Sequence, residues 1–232
     1  MKNLFLVLIL IVPAMSTVAM VEDDPLTARF MLDKLEVRPA DGPDPRVLDA
    51  EAWIGYDLDK IRFRAEAEHV DGATEEAELQ LLYSRAVTPF WDAYAGWGRD
   101  LEPGPERDFL AMGFVGVAPY MVETDAGLFI GESGQAGVRL DVEYEYRLTQ
   151  KWVLSPEAEL NLYSRDDETA GIGSGLSDLE LGLRLRYEIR RELAPYVGVT
   201  WSRKFGATRD FAAAEGEDAD DVRIVAGVRA WF

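Results

Sequence analysis

The 232-residue chain has no cysteine, which excludes disulfides, thiolate metal centres and cysteine nucleophiles together. Histidine occurs once, at His69, so multi-histidine metal motifs are absent and serine-histidine-acid chemistry has no partner over most of the chain. Positive charge is scarce: 24 Lys+Arg stand against 43 Asp+Glu, a net charge of −19. Such a balance repels nucleic-acid phosphates and attracts cations. Beyond Pro25 no apolar run is long enough for a membrane-spanning helix. Hydrophobic residues nonetheless make up 48% of the chain, too many for a disordered one.

What is present begins with a leader. Lys2 supplies a positive start, Leu4 to Val12 an apolar stretch too short to span a bilayer, and Thr17-Val18-Ala19 the small residues for cleavage after Ala19. Residues 1–19 are therefore expected to be a signal peptide, 20–27 a short N-terminal segment, and 28–232 one domain of barrel size.

From Ala28 onward the dominant signal is alternation with period two. In 176–189, Leu179, Leu181, Leu183, Leu185, Tyr187 and Ile189 share one face, while Asp178, Glu180, Arg184, Arg186 and Glu188 share the other. A strand sends successive side chains to opposite faces; a helix would scatter these charges around its axis. The pattern recurs in 60–69, 75–85, 137–148 and 152–163 and ends with 221–232, where Val222, Ile224, Ala226, Val228, Ala230 and Phe232 oppose Arg223 and Arg229. Most such segments reach the roughly 9–11 residues that a tilted strand needs to cross a bilayer.

Connections alternate too. Short ones at 57–60, 87–89, 118–120, 149–151 and 190–194 take turns with polar ones at 39–48, 71–72, 102–106, 131–134, 164–175 and 206–220. The expected fold is all-β: an antiparallel transmembrane β-barrel of about 12 strands, with short periplasmic turns and longer extracellular loops. Tyr56, Phe90, Trp91, Tyr120, Trp152, Tyr163, Tyr187, Tyr196 and Phe232, near segment ends, suit interfacial aromatic girdles.

In such a barrel the apolar face meets lipid and the charged face lines the lumen. The candidate cation-binding residues are the lumen carboxylates Glu66, Glu68, Glu76, Glu78, Asp141, Glu143, Glu157, Glu159, Asp178 and Glu180. A tight turn at Thr149-Gln150 places Glu143 beside Glu157 and Asp141 beside Glu159; a turn at Asp71-Gly72 places Glu68 opposite Glu76 and Glu66 opposite Glu78. Like charges directly opposite one another are destabilising and need arginines, protons or a bound cation. Two readings follow: a lumen packed by ion pairs with Arg62, Arg64, Arg139, Arg147, Arg184, Arg186, Arg223 and Arg229, or a cation path along the carboxylates.

Other features carry less. His69 faces outward near the extracellular lip, and Met112 and Met121 are two isolated thioethers. The acidic 164–175 and 206–220 segments read as solvated loops that concentrate cations. Gly171 to Gly175 lacks the lysine of a phosphate-binding loop, and Ser174 has no histidine partner, so no enzyme activity is expected.

Several stretches carry a family resemblance. They are Ala50 to Gly55, Glu78 to Ala86, Pro89 to Asp92, Tyr163 to Asp167, Gly173 to Asp178, Leu183 to Glu192 and Ala194 to Val199, with the terminal strand. Together they make the chain, from about Asp24 to Phe232, closely similar to the copper resistance protein B family. The resemblance implies an outer-membrane barrel in copper tolerance, with copper as the ion bound or exported and a periplasmic multicopper oxidase as partner. Members often carry a Met- and His-rich stretch ahead of the barrel; here only Met20 to Pro25 is expected between the cleavage site and the first strand. The alternative is a general outer-membrane channel, or a scaffold for a periplasmic partner, without copper preference.

Overall fold

The structure, a computed structural model, describes residues 24–39, 44–216 and 218–232. The expected leader lies outside the described residues. The strands are β1 (Thr27–Val37), β2 (Arg46–Gly55), β3 (Asp59–Val70), β4 (Ala73–Thr88), β5 (Trp91–Glu102), β6 (Arg107–Ala118), β7 (Val122–Gly131), β8 (Ala136–Tyr144), β9 (Tyr146–Arg147), β10 (Trp152–Tyr163), β11 (Gly175–Tyr187), β12 (Leu193–Lys204) and β13 (Asp220–Trp231). β8 and β9, parted at Glu145, both pair with β10 and form one stave, so the thirteen segments make twelve staves.

Each stave pairs antiparallel with its sequence neighbours, and β1 pairs with β13 to close the sheet. Closure reaches the last residue: Phe30 and Phe232 exchange backbone N–H···O bonds at 3.0 and 2.9 Å. A closed barrel leaves no unpaired edge in hydrocarbon, which is why strands are able to span it. Short connections gather at the end that holds both termini, the periplasmic end by the usual sidedness of these barrels. At the opposite end Asp71 and Gly72 both have positive φ (49° and 83°), the geometry of a two-residue hairpin turn.

The alternation sorts as expected. Leu181, Leu183, Val197, Val199, Val222 and Ile224 point outward and exposed, a belt suited to lipid. Their neighbours Arg184, Arg186, Thr200 and Val225 are buried inward. Tyr56, Phe90, Tyr120, Trp152 and Phe232 are exposed toward the periplasmic rim, and Trp152 packs on Tyr187 with ring centroids 4.8 Å apart. Two of the expected girdle aromatics face inward instead. Tyr196 is buried beneath Arg184, and Tyr163 lies against Gly137, because both occupy lumen positions of their strands.

Two local features depart from the sequence reading. In β1 the register jumps beside Asp33, a bulge that gives the strand one extra inward residue. Phe30 points outward before it and Leu35 and Val37 after it, so Asp33 and Lys34 both serve the lumen. The segment 206–220, expected as a plain loop, contains helix α1 (Gly206–Glu215). Its alanine-rich sequence favours helix, and Gly216 ends it in the left-handed conformation, donating its N–H to the Ala212 and Ala213 carbonyls. A register shift in β11 leaves Ser177 without a partner on β10; its carbonyl accepts the Phe205 N–H, and its hydroxyl bonds the Thr208 hydroxyl of α1 at 2.9 Å.

Candidate functional site

The lumen is built from arcs of carboxylates on neighbouring strands. Asp49, Glu66, Glu78 and Asp100 stand side by side on β2, β3, β4 and β5. Asp125, Asp141, Glu159 and Glu180 do the same on β7, β8, β10 and β11. Nearer the periplasm Glu123, Glu143 and Glu157 form a third arc. Toward the extracellular end Glu68 faces Glu76. The register thus brings together all four like-charged pairs expected from the turns. It adds Asp49, Asp100, Glu123 and Asp125, whose place beside them follows from the exact register of the neighbouring strands.

Cations from distant strands answer part of this charge. Arg139 on β8 crosses the lumen to Glu66 (3.3 Å) and Glu78 (3.1 Å) while its Nε lies 3.9 Å from Glu159. Its guanidinium also sits over the Phe129 ring, 5.2 Å from the centroid. Arg64 binds Asp125 at 2.6 Å and Glu51 at 3.0 Å. Arg38 joins Glu180 to Glu36, and Arg184 joins Glu36 to Glu157. Lower down, Arg186 and Arg229 share Glu143 and Glu145, and Arg229 also binds Asp33. Beside this ionic network Leu82, Tyr94, Phe109 and Ala111 form an apolar cluster inside the lumen, and the Tyr94 hydroxyl donates to Asp125 at 2.8 Å. Ion-paired side chains from distant strands cross the bore.

Compensation is incomplete. Among the described residues Asp49, Glu68, Glu76, Asp100 and Asp141 form no ion pair. All five lie in or beside the arcs that Arg139 bridges. Asp178 is held by the Asn161 amide at 2.8 Å. No three His, Asp or Glu side chains among the described residues converge as a closed metal cage. The arrangement is an extended acidic surface crossed by Arg139 and Arg64, with carboxylate oxygens suited to contacts with a cation.

The remaining candidates stay apart. His69 is at the extracellular end of β3, 3.4 Å from Thr74 Oγ1. Met112 lies within β6, whereas Met121 sits exposed in the periplasmic turn. The acidic loop 164–174 is tied down: Asp167 pairs with Arg107 (3.3 Å), and the Ser174 N–H donates to Asp166 at 2.6 Å. That bond holds the Asp166 carboxyl below the usual carboxylate range. Gly173 receives α1 directly; its N–H donates to Thr208 Oγ1 at 2.8 Å, and a Cβ there would collide with the Thr208 backbone nitrogen.

Comparison with known proteins places this lumen in context. Residues 26–232 match the family described as Copper resistance protein B precursor (CopB). A "Copper resistance protein B homolog" of Pseudomonas syringae pv. tomato is 43% identical over 212 residues, 91% of this chain and 72% of that protein. "Copper resistance protein B" of Escherichia coli is 44% identical over the same shares. Among solved structures, the NanC porin superposes with a TM-score of 0.57 at 11% identity, covering 88% of this chain and 99% of its own. The KdgM porin gives 0.55 at 11% identity, covering 89% and 99%. At that identity the porins speak for the barrel fold alone.

Proposed function

The chain belongs to the copper resistance protein B family, an outer-membrane β-barrel, and we propose that its lumen takes up cupric ion on the carboxylate arcs bridged by Arg139. The observation that carries this reading is the set of five carboxylates that form no ion pair among the described residues, in and beside the arcs that Arg139 bridges. Adjacent like charges in a low-dielectric bore are costly, and an added cation relieves them. Carboxylate oxygens suit Cu(II) better than Cu(I), which prefers sulfur.

In this reading the ion competes with the Arg139 guanidinium for Glu66 and Glu78. Passage then proceeds by exchange of ion pairs, because ion-paired side chains cross the bore. The role is binding or transfer, not turnover of a substrate.

The test has two parts. A strain lacking the gene should become copper-sensitive and recover when the chain is restored; equal tolerance in both strains would sink the copper role. Proteoliposomes should bind or admit Cu(II) in preference to Na+, and the combined Glu66→Gln and Glu78→Gln variant should lose that preference. A general channel predicts no preference in either protein.

A further inference from the structure

The charge of the lumen reverses at its periplasmic end. A cavity of about 980 Å³ opens there, walled by seven Arg and Lys side chains and only three Glu. In a chain of net charge −19 this is a local inversion. Two of the three carboxylates are already engaged: Glu145 by Arg186 and Arg229, and Glu188 by Arg147 at 3.2 Å. Arg29, Lys151, Arg190 and Arg191 form no ion pair among the described residues.

Arg29 and Lys151 lie against rings, and Arg190 and Arg191 are carried on a turn that is held by its backbone. The Arg29 guanidinium lies 5.7 Å from the Trp231 ring centre, and Lys151 Nζ 5.6 Å from that of Tyr187. Trp231 Nε1 donates to the Arg191 carbonyl at 2.8 Å, fixing the turn that carries Arg190 and Arg191. Inward, Arg186 and Arg229 line both this cavity and a void of about 10 Å³, room for about one water. The cavity is a basic pocket at the upper end of the roughly 300–1,000 Å³ range of ligand sites.

We propose that this periplasmic vestibule is a binding site for a small soluble polyanion bearing several carboxylate or phosphate groups. Guanidinium forks match both groups bidentately, and several converging forks favour a multiply charged ligand over a singly charged one. The same field disfavours a bare cation at this mouth, so the site is distinct from the carboxylate arcs and from the copper reading.

The experiment uses the full chain in phosphatidylcholine nanodiscs, titrated with citrate by calorimetry. Citrate should bind at low salt, weaken as salt is raised, and exceed acetate by roughly tenfold or more. Arg190→Gln with Arg191→Gln, confined to a turn outside the staves, should weaken citrate roughly tenfold. Arg29→Gln should weaken it independently, and Arg203→Gln at the extracellular end should not. Absence of citrate binding, or equal affinity in the turn variant, overturns the site. Discs containing phosphatidylglycerol distinguish the source of the anion. Unchanged citrate affinity supports a soluble ligand, and exclusion of citrate by that lipid overturns it in favour of headgroup phosphate.

Discussion

Arg139 and Glu78 lie 61 positions apart in sequence, on β8 and β4, yet their side chains meet at 3.1 Å across the lumen. Arg139 also reaches Glu66, so one guanidinium separates two carboxylates that face each other on paired strands. Replacing it with glutamine removes the only ion-pair partner that Glu66 and Glu78 have among the described residues. Arg139→Gln should raise cation conductance in planar bilayers and strengthen Cu(II) binding, while lowering the unfolding midpoint in metal-free buffer. Added divalent cation should restore much of that loss. A variant no more cation-selective than the parent would remove Arg139 as the competitor for the arcs.

The deepest ion pair lies elsewhere. Glu36 has a fully buried side chain and binds both Arg184 and Arg38 at 2.8 Å. Removing one partner of a buried pair costs about 3–5 kcal/mol when the other charge is left uncompensated. Arg38 keeps Glu180 and Arg184 keeps Glu157, which places Glu36 toward the lower end of that range. Glu36→Ala should therefore lower stability by about that amount in urea titrations of detergent-folded protein. A change within about 0.5 kcal/mol would show that water reaches Arg184 and Arg38 and screens them.

Glu36 also marks where sequence reading stops. The staves, their alternation, the sidedness of their connections and the four like-charged pairs were legible because each depends on neighbouring strands and parity alone. The bulge at Asp33 flips parity within β1, so no constant period assigns Lys34 and Glu36 to the lumen. Partners such as Arg139 and Glu66 depend on closure across the bore, which local pattern does not encode. Helix α1 did carry a signal, Ala212-Ala213-Ala214 followed by Gly216, masked by the acidic surroundings that suggest a loop.

The extracellular cover offers a test of that helix. Ser177 and Thr208 bond each other at 2.9 Å, and Thr208 also accepts the Gly173 N–H. Gly173→Ala puts a methyl group against the Thr208 backbone, which has no flexible end to yield. Backbone amides of 206–215 should lose hydrogen-exchange protection in this variant, while those of β13 keep theirs. Uniform protection in both proteins would mean that α1 is held by other contacts.

Asp166 anchors the same loop through the Ser174 N–H, and its carboxyl lies below the ordinary range. A lowered value in the folded state means that this contribution is complete above the ordinary carboxylate range. It is lost as pH falls through the lowered value. The protection factor at Ser174, which corrects exchange for the slower intrinsic rate in acid, should fall on acidification in the parent. In Asp166→Asn it should be lower than in the parent at neutral pH and change less on acidification. Identical profiles would show that the carboxylate does not hold the loop.

The lipid belt sets the last prediction. Ile224 is 71% exposed on β13, and its partner Val199 is also exposed, while the adjacent Val225 is fully buried toward the lumen. In water such a face would be a liability; in hydrocarbon it is the favourable one. A charge there must leave its hydration, at about 2–4 kcal/mol near the bilayer midplane and less toward either interface. Ile224→Lys should therefore lower the unfolding free energy of the barrel in lipid vesicles by an amount within that range, and Ile224→Leu should leave it nearly unchanged. The contrast isolates charge from shape, since both replacements occupy the same outward position. An Ile224→Lys barrel as stable as the parent in vesicles would place this face in contact with water instead of acyl chains.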